Sequence, residues 1–336
     1  MTEKNPSAVL YATHDLRIED RRVPEPAAGQ VLVEVQAVGI CGSDVHYYEH
    51  GRIGDFVVEQ PMIIGHEAAG RICAVGAGVP ESRLGELVAM EPGVPCRDCK
   101  ECLAGRYNLC PDVVFFATPP VDGAISRFVA IDASFAHRAP DGVDAERASM
   151  AEPVSVGVWS CRKAGVGLGD RVLITGAGPI GLLAAQVARA FGASRIVVTD
   201  LSDFRLDAAA VLGFETRRAD SGETGEYDVL LECSGAAPAV KSGMRQMAPA
   251  GRVVLVGMGA DTVPIEVPLI QGRELTVTGI FRYANCYPAA LELIASGAVD
   301  VDSVITHRFP LAETEAAMTV NGREPNALKA MVLPQQ

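Results

Sequence analysis

The 336-residue sequence lacks any uninterrupted apolar run of about 18 or more residues, which excludes a helix long enough to cross a bilayer. It is short of positive charge, with 29 Lys and Arg against 42 Asp and Glu and a net charge of −13. No basic field is present to draw in phosphate backbones or anionic lipid, so neither nucleic acid nor a membrane surface is an expected partner. Low-complexity composition is missing too: Gly numbers 34, Pro 21, and 49% of residues are hydrophobic. That excludes a disordered or collagen-like chain. The start, Met1 to Pro6, is polar without the apolar core of a secretory signal, so the expected location is cytoplasmic.

What is present begins with nine cysteines, an odd number in a long chain of cytosolic character. Such a count argues against a disulfide framework and for metal ligands or free thiols. At roughly 150 residues per domain, the length predicts about two domains. From Ala8 to about Ile131 short alternating or β-branched runs, such as Val31 to Val35, are punctuated by Gly, Pro and Asp turns. This texture predicts an irregular, mostly antiparallel β domain. From about Gly169 apolar strands alternate with helical stretches: Val172 to Thr175, Pro179 to Phe191, Arg195 to Thr199, Ser202 to Leu212, then Val229 to Glu232, Arg252 to Gly257 and Leu275 to Ile280. That rhythm predicts an α/β region with a parallel sheet.

Gly176, Gly178 and Gly181 form G-x-G-x-x-G between an apolar strand and a helix, where bare backbone can approach a pyrophosphate at the helix N-terminus. Asp200 ends the next strand about 20 residues further on, where a carboxylate binds the ribose hydroxyls of NAD and repels the extra phosphate of NADP. The plainer reading is a tight glycine turn, with Asp200 capping the helix that starts near Ser202.

Cys96, Cys99, Cys102 and Cys110 are spaced C-x2-C-x2-C-x7-C in a loop-like stretch. Four thiolates at such spacing close a tetrahedral zinc shell with no position left for substrate, so this metal is expected to be structural. Free thiols or an iron-sulfur cluster are the alternatives. Cys41 lies in Gly39-Ile40-Cys41-Gly42-Ser43-Asp44-Val45-His46, His66 and Glu67 follow Gly65, and Glu152 comes much later. Soft sulfur, imidazole and carboxylate together suit an open zinc site. Singly, each also reads as a buried hydrophobe, a satisfied polar residue or a helix-start carboxylate.

The order of these segments resembles that of the zinc-dependent medium-chain dehydrogenase/reductase superfamily over essentially the whole chain. Within it the sequence is most similar to the sorbitol and xylitol (polyol) dehydrogenases, at Gly39 to Tyr48, Phe115 to Pro120, Phe281 to Tyr283 and Thr306 to Pro310. The resemblance implies a GroES-like, β-rich catalytic domain from residues 1–154 and 287–336, with its structural zinc lobe at about 92–112. An inserted Rossmann domain, a doubly wound parallel sheet, is expected over 155–286.

It further implies one catalytic and one structural Zn2+ per chain, with Cys41, His66 and a glutamate at the catalytic ion. Alcohol dehydrogenases complete such a site with a second cysteine, and Glu152 stands near that cysteine's expected place. Both Glu67 and Glu152 remain candidates for the inner ligand. Ser43 and His46, with Glu152, are the expected catalytic residues, the first two relaying the departing proton. Tyr47, Phe116, Thr118, Arg282 and Tyr283 are expected at the substrate. Gly176, Gly178, Pro179, Ile180, Gly181, Asp200, Arg205, Val256, Gly257, Met258 and Phe281 are expected at the NAD cofactor.

The implied reaction is reversible oxidation of a polyol secondary alcohol to the ketose, in a homo-oligomer, dimer or tetramer. Dehydrogenases of threonine, a sugar acid or a simple secondary alcohol share these motifs, and a non-catalytic nucleotide-binding scaffold would keep metal only at the four cysteines. A zinc-free quinone reductase is disfavoured by Cys41, His66, Glu67 and Glu152 together. One departure from the resemblance stands out: between Gly213 and Asp228 the chain is too short for the helix usual there. Cys73, Cys161, Cys233 and Cys286 acquire no role.

Overall fold

In the computed structural model residues 4–259 and 262–336 are described, so Met1 to Glu3 of the polar start lie outside the described residues. The chain divides into two compact units, Met1–Glu152 with Ile305–Gln336, and Pro153–Val304.

In the first unit, β1 (Lys4–Ala12) and β2 (Asp15–Arg22) pair antiparallel. β3 (Gln30–Gly39) carries alternating Val31, Val33 and Val35 into the core, the period-2 pattern of a strand with one face buried. Helix α1 (Gly42–His50) follows directly, then β4 (Glu67–Val75), β5 (Leu87–Met90), β6 (Phe128–Asp132) and β7 (Ala136–Arg138).

Helix α2 (Ala151–Ala164) leads into the second unit. There β8 (Arg171–Thr175), α3 (Pro179–Ala190), β9 (Arg195–Asp200), α4 (Asp203–Val211), β10 (Glu215–Arg218), β11 (Tyr227–Glu232), α5 (Ala237–Arg245), β12 (Met247–Leu255), β13 (Thr276–Gly279) and α6 (Tyr287–Ala295) follow in order. The strands form a six-stranded parallel sheet ordered β10–β9–β8–β11–β12–β13. That is the doubly wound dinucleotide-binding order. Val172, Leu173, Ile174, Val229, Leu230 and Leu231 are wholly buried, as expected of strands covered on both faces.

The chain then returns to the first unit through β14 (Ile305–Pro310), α7 (Thr314–Arg323) and β15 (Lys329–Leu333). β15 pairs parallel with β14 and antiparallel with β3, so the last strand enters the middle of a seven-stranded sheet ordered β7–β5–β4–β3–β15–β14, with β6 also on β3. The return falls at Ile305 rather than at the expected 287. The reason is local: α6 buries Tyr287, Ala290, Leu291 and Ile294 within the second unit, and the Gln186 side chain on α3 bonds both the N–H and the carbonyl of Asp300.

Between β10 and β11, residues 219–226 form no helix, in keeping with the short spacing. The Gln246 side-chain oxygen stands in for the missing element, accepting from Gly225 N at 3.0 Å and from Arg217 Nη2 at 2.8 Å. β10 itself escaped the sequence reading because Glu-Thr-Arg-Arg is a polar edge strand with no apolar pattern to betray it.

Candidate metal centres and nucleotide loop

The four-cysteine segment folds around a single-turn helix, Lys100–Leu103. The sulfurs stand 3.4 Å apart for Cys99 and Cys102, 3.5 Å for Cys110 and Cys96, and 3.8 Å for Cys96 and Cys102. Thiolates about 2.3 Å from a tetrahedral zinc ion lie about 3.8 Å from one another, so this set fits the ion. Backbone N–H groups of Cys96 and Cys102 point at the sulfurs of Cys110 and Cys99, each at 3.5 Å. The Cys102 amide holds the Cys99 thiol down at about 7. The lobe is tied to the sheet by Tyr107, whose hydroxyl donates to buried Glu91 at 2.5 Å, while His137 meets the other Glu91 oxygen at 2.7 Å.

The second cluster is Cys41, His66 and Glu67, whose ligand atoms lie within 4.8 Å of one another. The strands create it. β3 ends at Gly39, opposite Glu67 at the start of β4, and the chain turns through Cys41 into α1. Glu67 is the carboxylate the fold brings to the cluster; Glu152, buried at the start of α2, is not among its members. The chemistry of the donor set is that of an open zinc site: three ligands of mixed softness, one short of a closed tetrahedron. Glu67 is buried, and both of its carboxylate oxygens meet the Lys329 ammonium.

Two residues that sequence reasoning missed organise this cluster. Asp44, wholly buried, accepts from Cys41 N at 2.9 Å and from Gly65 N at 3.1 Å, and its Oδ1 lies 3.4 Å from His66 Nδ1. A carboxylate behind a metal-ligating imidazole sets the tautomer and the ring orientation. Burial favours the neutral His66 ring, but Asp44 and the Cys41 sulfur outweigh it and raise the imidazole well above its usual range. The signal was legible: Asp44 sits three residues after Cys41 at a helix start. Lys329 on β15, whose ammonium meets Glu67, had no sequence signal at all.

The other expected residues are distributed between the units. In the first, Ser43 is half-buried, His46 is exposed on α1 with its ring 4.5 Å from that of His50, and Tyr47 is buried. Phe116 packs in the core of the first unit, whereas the ring beside His66, at 5.9 Å, is that of Phe115; Thr118 is half-buried. In the second unit the Arg282 guanidinium lies 4.7 Å over the Phe281 ring, and Tyr283 is buried 5.8 Å from Tyr287. Arg282 has φ 53°, a conformation unusual for a residue with a side chain.

The glycine loop has the form its spacing predicts. Gly176 has φ 90°, Gly178 caps α3, Pro179 begins the helix and Ile180 follows it. A Cβ at Gly181 would strike the Gly176 carbonyl. Asp200 accepts from Ala177 N at 2.7 Å and Ser202 N at 2.9 Å, while Ser202 itself caps α4. So Asp200 faces the glycine loop, and the capping role belongs to its neighbour. These residues border a cavity of about 400 Å3 lined by Thr175, Gly176, Asp200, Arg205, Ser234 and Gln246, among others. Buried Glu232 accepts from Ser234 N at 3.0 Å and Gly235 N at 3.1 Å, shaping its wall, and its backbone carbonyl holds Val256 and Gly257; Met258 is exposed. Arg218, opposite Asp200 in the sheet, is occupied by Asp203 and Asp220. Of the unassigned thiols, Cys73 is exposed, and burial pushes those of Cys161 and Cys233 up.

Comparison with known proteins agrees with this geometry. Residues 27–141 match the alcohol dehydrogenase GroES-like domain and 179–296 the zinc-binding dehydrogenase family. Sorbitol dehydrogenase of Gallus gallus is 42% identical over 96% of this chain and 94% of its own, and that of Homo sapiens 44% over 91% and 90%. The solved structure of L-idonate 5-dehydrogenase from Escherichia coli superposes with a TM-score of 0.93 at 29% identity, covering 99% of each chain. The chain therefore belongs to the zinc-dependent medium-chain dehydrogenases, as an oxidoreductase related to the polyol dehydrogenases.

Proposed function

We propose that the protein oxidises a secondary alcohol of a polyol, sorbitol, xylitol or a close relative, to the ketose, with NAD as hydride acceptor. The observation that carries this reading is the Cys41, His66 and Glu67 cluster, three donors of the kind that would hold a zinc ion open to substrate, in a chain that also carries a dinucleotide-type glycine loop. Zinc bound there supplies Lewis-acid polarisation of the alcohol oxygen, and NAD supplies the hydride acceptor.

The chain's own residues do the rest. Cys41, His66 and Glu67 hold the ion, with Glu152 acting from outside that set, and Asp44 orients His66. Ser43 and His46 pass the departing proton outward; the exposure of His46 suits the solvent end of such a relay. Tyr47, Thr118, Arg282 and Tyr283 offer donors to a chain of hydroxyls, with Phe116 behind them. Ile180 and the glycine loop take the pyrophosphate, Asp200 the ribose, Arg205 the adenosine, and Val256, Gly257, Met258 and Phe281 the nicotinamide half. The Asp200 carboxylate favours NAD over NADP. The four cysteines hold a structural zinc. A cytoplasmic homo-oligomer, dimer or tetramer, completes the reading.

The similarity to L-idonate 5-dehydrogenase favours a sugar acid as the second reading. Turnover of sorbitol, xylitol, arabinitol, idonate, threonine and 2-butanol with NAD and NADP, with zinc counted on the same sample, separates the two. Polyol turnover with NAD and two zinc ions per chain is expected. Absence of polyol turnover rejects the substrate, and metal at the four cysteines alone rejects the enzyme.

A further inference from the structure

Glu232, the last residue of β11, is 1% exposed, and the chain around it takes up both of its carboxylate oxygens. Oε1 accepts from Ser234 N at 3.0 Å, from Thr175 Oγ1 at 3.2 Å and from the Ser234 hydroxyl, while Oε2 accepts from Gly235 N at 3.1 Å. A buried carboxylate is an acceptor only, and these donors are what make its burial tolerable. The main chain extends the hub. The Glu232 carbonyl accepts from Val256 N at 2.8 Å and Gly257 N at 2.9 Å, and Cys233 N donates to the Thr175 carbonyl at 2.8 Å. One residue thus joins the ends of β8, β11 and β12, at the register Thr175, Glu232, Leu255.

The turn that the carboxylate holds has no slack. A Cβ at Gly176 would stand 3.0 Å from Ser234 Cα, and one at Gly257 or Gly259 would strike the Gly235 backbone. Gly235 has φ 68°, and a Cβ there would strike the Met258 carbonyl. Residues 234–235 are therefore wedged, backbone against backbone, between the glycine loop and residues 257–259. Ser234 and Ala236 also border the cavity lined by Asp200 and Arg205.

We propose that Glu232 is a positioning residue for dinucleotide binding: by fixing the Ser234–Gly235 turn it sets the glycine loop after Thr175 and the Val256–Met258 segment together, before any cofactor arrives. The inference rests on the nucleotide-binding reading above. Loops held in their bound form beforehand lose less conformational freedom on binding, so the gain is affinity for the dinucleotide. Without the carboxylate, the N–H groups of Ser234 and Gly235 lose their acceptor, and an unpaired buried donor is costly enough to displace a turn. Because its neighbours on both sides are glycine backbone, that displacement passes directly to them.

The test compares wild type with Glu232→Met and Glu232→Gln in the full-length protein, using ADP-ribose as the probe in calorimetry and NADH in fluorescence titration. Met keeps the length of the side chain and removes both acceptors, so the Kd for each probe rises about 10-fold or more. Gln keeps one acceptor oxygen and loses the other, so the rise is about threefold, and it carries the test if the Met variant does not fold. KM for NAD rises in step with these values while kcat changes less, the pattern of lost binding rather than lost chemistry. Wild-type Kd values in the folded variants, with only the thermal midpoint lowered, show a purely structural carboxylate and overturn the proposal. Wild-type protein that binds neither ADP-ribose nor NADH rejects the nucleotide-binding reading itself, a separate outcome.

Discussion

The two cysteine-bearing clusters of the first unit are built in opposite ways. Cys96, Cys99, Cys102 and Cys110 come from fifteen consecutive residues, share one chemistry, and are steadied by amides of the same segment. Cys41, His66 and Glu67 come from a helix start and a strand start, mix three chemistries, and depend on Asp44 and on Lys329 from the far end of the chain. A local, uniform set can only close around its ion and act as a cross-link. A dispersed, mixed set needs the whole sheet to assemble it, and that dependence leaves a position open with its surroundings under control.

The sharpest way to break the comparison is Cys41→Ser. Turnover should fall by at least about 10^3-fold, because the polarising ion is worth several kcal/mol in the transition state. One zinc should remain per chain, measured by atomic absorption; retention of both ions would mean that Cys41 is no ligand. Asp44→Asn follows, with a loss of about 10- to 100-fold in zinc affinity at the open centre and none at the four cysteines. Competition with a chromogenic chelator measures both, and equal weakening of the two sites would refute the assignment of Asp44.

Cys102→Ser should do the reverse. It removes the structural ion and lowers Tm by roughly 10 °C, since lost metal binding is lost folding energy. The Cys41 centre keeps its metal, and calorimetry with a zinc count decides. The smallest effect is expected at Cys73, exposed and outside both clusters: Cys73→Ser should change stability by less than about 0.5 kcal/mol and leave two ions bound. Loss of an ion from that variant would show that the division of the cysteines is wrong.

Much of the molecule was legible in advance, for reasons tied to particular residues. The four cysteines declare themselves because their ligand geometry is local. Gly176, Gly178, Gly181 and Asp200 do so because strand, turn and helix dictate their spacing. The absent helix between β10 and β11 was readable as missing length, but its replacement by Gln246 was not, since a side chain at the end of α5 gives no sign of which loop it will hold. Phe115 rather than Phe116 beside His66 was equally hidden, because two adjacent aromatics leave the choice to the local backbone.

By itself the sequence determined the β-rich and parallel-sheet regions, the four-cysteine cluster, the glycine loop and the Asp200 carboxylate that faces it. All of these are set by periodicity or by spacing within about 25 residues. Only the tertiary structure decided that Glu67 joins Cys41 and His66, that Asp44 stands beside the imidazole, that the second unit runs on to Val304, and that Lys329 pairs with Glu67. The physical reason is strand register. Gly39 faces Glu67 on one side and Met331 on the other, and the second of these pairings, made across nearly 300 residues of chain, puts a C-terminal ammonium beside an N-terminal carboxylate.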